Sequence, residues 1–166
     1  MFDELTAIDI KKMEEEIEYR KVVLRPQLLE EVKTARAFGD LSENFEYKEA
    51  KRLKNKNDSR IRYLTNMIKT AKIIEDCSNE DTVGLFDLVE CFMDDIGETM
   101  TVKLATNVRI NLEEGVFSKD SPIGRAILGK KVGDKVEVES PDGNYFLEIT
   151  KITKSYDDGS TPILSY

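Results

Sequence analysis

Ala35-Arg36-Ala37-Phe38-Gly39-Asp40-Leu41-Ser42-Glu43-Asn44-Phe45-Glu46-Tyr47-Lys48-Glu49-Ala50-Lys51 interrupts two long helical patterns with one tight turn. Before it, apolar residues recur at Ile10, Met13, Ile17, Leu24, Leu28, Val32 and Ala35, spaced by three, four and seven as on one helical stripe. Thr6 opens this helix, with Asp9 three residues on as an aspartate version of the capping box. Gly39 suits a left-handed cap that ends it. After the turn, Asp40 or Ser42 is a candidate cap, and a second stripe runs through Ala50, Leu53, Asn57, Leu64, Met67, Ala71 and Ile74, with Ile61 and Ile68 alongside. Matched stripes joined by a short turn predict an antiparallel coiled-coil hairpin with helices of ~30 residues, hence ~45 Å long. Pro26 lies inside the first helix and is expected to kink or loosen it. Asn57 and Arg60 fall on the seam, where a polar residue fixes register at some cost in stability.

Beyond Asn79-Glu80-Asp81 the period changes to two. Val83 to Met93 and Thr99 to Ala105 read as strands, Ser121-Pro122 opens a short helix to Leu128 closed by Gly129, and Lys135–Glu139 and Tyr145–Thr153 flank the turn Pro141-Asp142-Gly143-Asn144. The expected class is α+β: an N-terminal coiled-coil hairpin, residues 1–76, followed by a small antiparallel-sheet domain with one short helix, residues 77–166, ending in a polar tail expected to be mobile. Charge supports the division. Residues 1–76 hold 16 Lys and Arg against 16 Asp and Glu, while residues 77–166 hold 9 against 17, which is the whole of the net −8.

Composition excludes several classes. There is no histidine, and Cys77 and Cys91 form no CxxC pair, so histidine triads are ruled out and a zinc site is disfavoured. Two isolated cysteines read as reduced thiols, and the first residues are too acidic and weakly apolar for a signal peptide. No apolar run reaches the ~18 residues of a membrane span. The expectation is a cytoplasmic monomer without membrane contact. An acidic chain also lacks the broad basic face that independent duplex DNA binding needs.

Three groups of residues carry chemistry. Asp40 and Glu43 put two carboxylates on the turn, and an acid-tipped rigid arm suits delivery of carboxylates into another protein's active site. Behind them, Lys48, Lys51 and Arg52 share one helical face of a basic strip running to Arg62. Phosphate contacts from such a face strengthen binding without reading sequence. Asp120, Ser121 and Pro122 begin the second domain's short helix. Each group also has a plain structural role, as a cap, a solvated face and a helix start.

The run from Ala35 to Lys51 resembles the coiled-coil tip of the Gre transcript-cleavage factors. A second stretch, Ser121-Pro122-Ile123-Gly124-Arg125-Ala126-Ile127-Leu128-Gly129-Lys130-Lys131-Val132-Gly133-Asp134, resembles the signature of their C-terminal domain. The resemblance implies that the second domain is FKBP-like and docks on the rim of the secondary channel of bacterial RNA polymerase through the loop at Asp120, Ser121 and Pro122. It implies that the hairpin enters the channel and stimulates the polymerase's own hydrolysis of backtracked RNA. Asp40 and Glu43 then stand at the tip acidic positions, sharing a magnesium ion held mainly by the polymerase and absent from the free protein. Lys48, Lys51 and Arg52 face the nascent RNA 3′ end. The protein is not itself an enzyme on this reading. Alternatives are a channel-binding inhibitor, an FKBP-like peptidyl-prolyl isomerase, and a coiled-coil chaperone or adaptor. Retention of both tip acids opposes the first. The sheet domain's ordinary core aromatics and lack of tryptophan oppose the second, and the last leaves the acid tip and basic strip unexplained.

Overall fold

The computed structural model describes residues 3–39 and 43–165. Thr6 and Asp9 cap one another: the Asp9 amide donates to Thr6 Oγ1 at 3.2 Å and the Thr6 amide to Asp9 Oδ2 at 2.9 Å. This reciprocal pair satisfies two of the amides that a helix start leaves unbonded. The first helix follows as α1, Ala7–Tyr19, a π-helical stretch, Arg20–Leu24, and α2, Arg25–Arg36. Pro26 accounts for the interruption. It has no N–H to give the carbonyl one turn back, and its ring crowds that turn. Widening the turn ahead of it relieves the crowding, and the Arg25 amide closes a π-type bond on the Arg20 carbonyl. The helix loosens without breaking.

The returning helix, α3, spans Phe45–Thr70. Pairing runs in opposite chain directions, from Ala35 with Asn44 through Arg20 with Asn57 to Glu16 with Arg60. Leu28 and Ala35 are buried on α2, and Ala50, Asn57, Arg60, Ile61 and Leu64 on α3. Both seam polar residues hydrogen-bond across the hairpin. Asn57 accepts from Arg20 Nη1 at 3.0 Å and donates to the Arg20 carbonyl at 3.2 Å. Arg60 Nε donates to Glu16 Oε1 at 2.9 Å, and Arg20 Nε reaches the same oxygen at 2.7 Å. Glu16, Arg20, Asn57 and Arg60 thus form one network at the π-helical turn.

The chain divides into two compact units, residues 10–71 and residues 3–9 with 72–165 of the described chain. In the second, β1 (Glu4–Leu5) pairs in parallel with β2 (Lys72–Ile73). A five-stranded sheet is built from β3 (Leu88–Met93), β4 (Glu98–Ala105), β5 (Val116–Ser118), β6 (Lys135–Val138) and β7 (Tyr145–Thr153), in the order β5-β4-β3-β7-β6. All pairings are antiparallel except β4 with β5, which is parallel. Val89 and Cys91, Val102 and Leu104, Val136 and Val138, and Leu147 and Ile149 are buried, the period-two pattern of a sheet with one covered face. Helix α4, Pro122–Ile127, adds Ile123 and Ile127 to that core. Gly124 has to be glycine there, since a Cβ would lie 2.2 Å from the Ser118 carbonyl oxygen.

The expected strand from Val83 begins only at Leu88. Phe86 adopts φ 63°, and the buried Asp87 carboxylate accepts from the Gly84 amide at 2.8 Å, so these residues form a turn that their apolar content disguises. The tail also has fixed contacts that its composition does not announce. Arg109, fully buried, donates Nε to the Thr161 carbonyl at 3.0 Å and forms a fork with Asp157 through Nη1 and Nη2. The Leu164 amide bonds the Val108 carbonyl at 2.8 Å.

Candidate functional site at the hairpin turn

Gly39, at φ 104°, turns the chain away from α2 in a conformation that side-chain-bearing residues rarely adopt. Asn44 then holds the turn closed. Its Nδ2 donates to the carbonyls of Ala35 at 3.1 Å and Gly39 at 2.6 Å, while its Oδ1 accepts from the Tyr47 amide at 3.1 Å. One side chain therefore caps α3 and satisfies two carbonyls at the end of α2. The expected caps, Asp40 and Ser42, lie outside the described residues; the cap observed is Asn44. Sequence reasoning missed it, although asparagine is a favoured N-cap and Tyr47 stands at the third following position.

Glu43 sits in the turn immediately before this cap and is exposed. Its carbonyl accepts from the Phe45 amide at 2.9 Å. The start of α3 presents the positive end of the helix dipole here, which favours a carboxylate. Asp40 lies outside the described residues, so the spacing of the two acids is not part of the geometry. Phe45, the first residue of α3, is 73% exposed.

Lys48, Lys51 and Arg52 are all exposed on α3. Lys48 Nζ stands 5.7 Å from the Phe45 ring centre and Lys51 Nζ 5.8 Å from that of Tyr47, both within cation–π range. Arg52 differs, because its Nε and Nη2 donate to the two Glu49 carboxylate oxygens at 2.8 and 2.6 Å. That hydrogen-bonded fork holds the Glu49 carboxyl below its ordinary range. In the sheet unit, Ser121 caps α4 by accepting from the Gly124 amide at 3.1 Å, with Pro122 in the first turn. Asp120 is exposed and takes Asn107 Nδ2 at 3.1 Å and Lys119 Nζ at 2.9 Å. Among the described residues no helix is long and apolar enough to cross a membrane.

A helical hairpin whose two helices are tied at the turn by Asn44, followed by a five-stranded mixed sheet with one short helix packed on it, defines a two-part α+β protein. Residues 4–73 match the family model described as transcription elongation factor, N-terminal, and residues 78–154 match transcription elongation factor, GreA/GreB, C-term. Transcription elongation factor GreA of Bacillus licheniformis is 43% identical over 150 residues, covering 90% of this chain and 95% of that one. Its counterpart in Bacillus subtilis is 40% identical over 149 residues, with the same coverages. The chain therefore belongs to the GreA/GreB family of transcription elongation factors. Among solved structures, GreA factor homolog 1 (Gfh1) of Thermus thermophilus is 23% identical, over 93% of this chain and 100% of that chain, with a TM-score of 0.42.

Proposed function

We propose that this protein inserts its hairpin into the secondary channel of bacterial RNA polymerase and stimulates the polymerase's own magnesium-dependent cleavage of backtracked RNA, with no catalysis of its own. The observation that supports this most is the Asn44 clasp, which ties Ala35 and Gly39 at the end of α2 to the start of α3 beside the exposed Glu43. A group delivered to a foreign active site has to arrive in fixed geometry, because a misplacement of about 1 Å costs on the order of a hundredfold in rate.

Glu43 is a hard oxygen donor of the kind magnesium prefers, and Asp40 is a second. Two carboxylates fill at most two of six octahedral positions, so the remaining ligands come from polymerase, phosphate and water. Magnesium there supplies stabilisation of the attacking and leaving oxygens. Asp40 and Glu43 anchor and orient, and the polymerase's aspartates hold the other ion. Lys48 and Lys51 contact phosphates of the extruded RNA 3′ segment. Arg52 joins them with its guanidinium held toward Glu49 through Nε and Nη2. Asp120, Ser121 and Pro122 dock the sheet unit at the channel rim.

RNA release from a backtracked complex of the cognate polymerase, with magnesium, tests the proposal. The parent should accelerate release, while Asp40→Asn and Glu43→Gln should bind equally and lose most of it. Binding without acceleration by the parent would make the protein a channel-blocking inhibitor, and no binding at all would end the polymerase reading.

A further inference from the structure

The first turns of α3 carry two faces of opposite character. Lys48, Lys51 and Arg52 make one. Phe45, Glu46, Glu49, Ala50 and Leu53 make the other, roughly 140° away at 3.6 residues per turn. With α2, this second face encloses an open groove of about 790 Å³ between the helices, just behind the turn. Phe38 and Phe45 line it and are 72% and 73% exposed, with Leu53 36% exposed beside them. Phe38 and Phe45 thus give the lining an apolar patch, with Lys48 Nζ 5.7 Å from the Phe45 ring centre. Glu30, Glu31, Glu46 and Glu49 line the same groove, and no Lys or Arg is among its lining residues. Glu49 is engaged by Arg52, which leaves Glu30, Glu31 and Glu46, all exposed, to set the charge.

This combination selects one occupant. Nucleic acid would bring phosphates against glutamates. A second copy docked by two-fold symmetry would set acid against acid, since such an interface joins the same patch to itself. A polypeptide with an apolar anchor flanked by Lys or Arg meets both demands: the anchor covers the phenylalanines and the cations face the glutamates. We infer that the groove between α2 and α3 seats a basic, apolar-anchored segment of the RNA polymerase, an inference that rests on the polymerase reading above. The hairpin then has a working division of surface, with RNA on the basic face of α3 and protein on the acidic one. Seating the segment fixes the rotation of the hairpin about its own axis, and with it the direction in which the turn's carboxylates point.

Replacement of Phe38 by the photocrosslinker p-benzoylphenylalanine, followed by irradiation in the backtracked complex of the cognate polymerase, tests the occupant. The expected product is a single polymerase peptide rich in Lys and Arg. Crosslinks to RNA, to a second copy of this chain, or to an acidic peptide overturn the inference. In parallel, Glu30→Lys/Glu31→Lys reverses charge on an exposed helix face, with helicity checked by circular dichroism. It should weaken polymerase affinity roughly tenfold at low salt, by a margin that shrinks as salt rises. Parent-like affinity and cleavage in that variant overturn the inference and leave the polymerase reading standing. A parent that neither binds the polymerase nor promotes cleavage overturns both.

Discussion

Asn44 donates through Nδ2 to the carbonyl of Gly39 at 2.6 Å, joining the cap of α3 to the glycine at which the chain leaves α2. The same amide group reaches Ala35, and the side-chain oxygen caps Tyr47. Asn44→Ala removes a cap worth ~1 kcal/mol together with the two carbonyl bonds, for a total of about 1–2 kcal/mol of hairpin stability. Asn44→Asp keeps the acceptor and loses the donors, so it separates the two contributions. Urea unfolding followed at 222 nm should rank the parent above Asn44→Asp and Asn44→Ala lowest. If Asn44→Asp matches the parent, the bonds to Ala35 and Gly39 contribute nothing to stability.

The fully buried Arg109 binds a second set of distant residues: Asp9 Oδ1 at 3.2 Å, the Asp157 carboxylate and the Thr161 carbonyl, with the Phe86 ring centre 4.7 Å from its guanidinium carbon. Burial works against the charge, but Asp157 and Asp9 outweigh it and raise the guanidinium above its ordinary value. Arg109→Met leaves Asp9 buried without its cation and should cost on the order of 3–5 kcal/mol. A chain ending at Ser155 removes Asp157 and Thr161 but leaves Arg109 paired with Asp9, so it should cost less. Guanidinium unfolding of the two variants decides the order, and equal losses would mean that the Asp9 contact carries no weight.

The hairpin was legible in the sequence because two apolar stripes of matching period met at one glycine turn. Strand β7 was legible because Leu147, Ile149 and Ile152 stand among polar residues just after the Pro141–Asn144 turn, although a register shift at Thr150 breaks the strict alternation. The turn before β3 was not, because Val83, Leu85 and Phe86 are as apolar as a strand while Phe86 takes a left-handed φ. Nor was the place of Arg109. Its partners stand about 50 and 100 residues away in sequence, and no local pattern encodes a pairing of that separation. Of the candidate site, the acidic turn and basic strip were legible as residue types, but the Glu49 fork that occupies Arg52 and the clasp made by Asn44 depend on side-chain geometry.

The two cysteines should react differently with a thiol reagent. Cys77 is exposed, while Cys91 is buried under the sheet's covered face, where burial alone pushes its thiol up to about 11. Thiolate is the reactive form, so Cys91 is protected both by access and by protonation. Iodoacetamide at pH 8 should modify one site in the native protein, identified by mass as Cys77, and both after denaturation. Rapid native labelling of Cys91 would show that β3 opens on the labelling timescale.

Glu16 gives the hairpin a pH dependence whose sign follows from its partners. Partial burial on its own would raise the carboxyl, but hydrogen bonds from Arg60 and Arg20, with the charges of both, more than reverse this and leave it below the ordinary range of a glutamate. A carboxyl depressed in the folded state contributes stability that is fully present above its unfolded pKa and is lost as pH falls through the folded one. The parent should therefore exceed Glu16→Gln in stability at pH 7, by an amount limited because the group is partly solvated. The advantage should shrink as pH drops below about 4.5 and vanish in stronger acid. Thermal unfolding of the hairpin signal at pH 7, 5, 4 and 3 measures the gap between the two proteins. A gap that stays constant with pH would mean that Glu16 contributes through packing and shape, without its charge. A gap that closes on acidification would identify the Glu16–Arg60–Arg20 cluster, set against the π-helical turn, as the charged contact that holds the two helices in register.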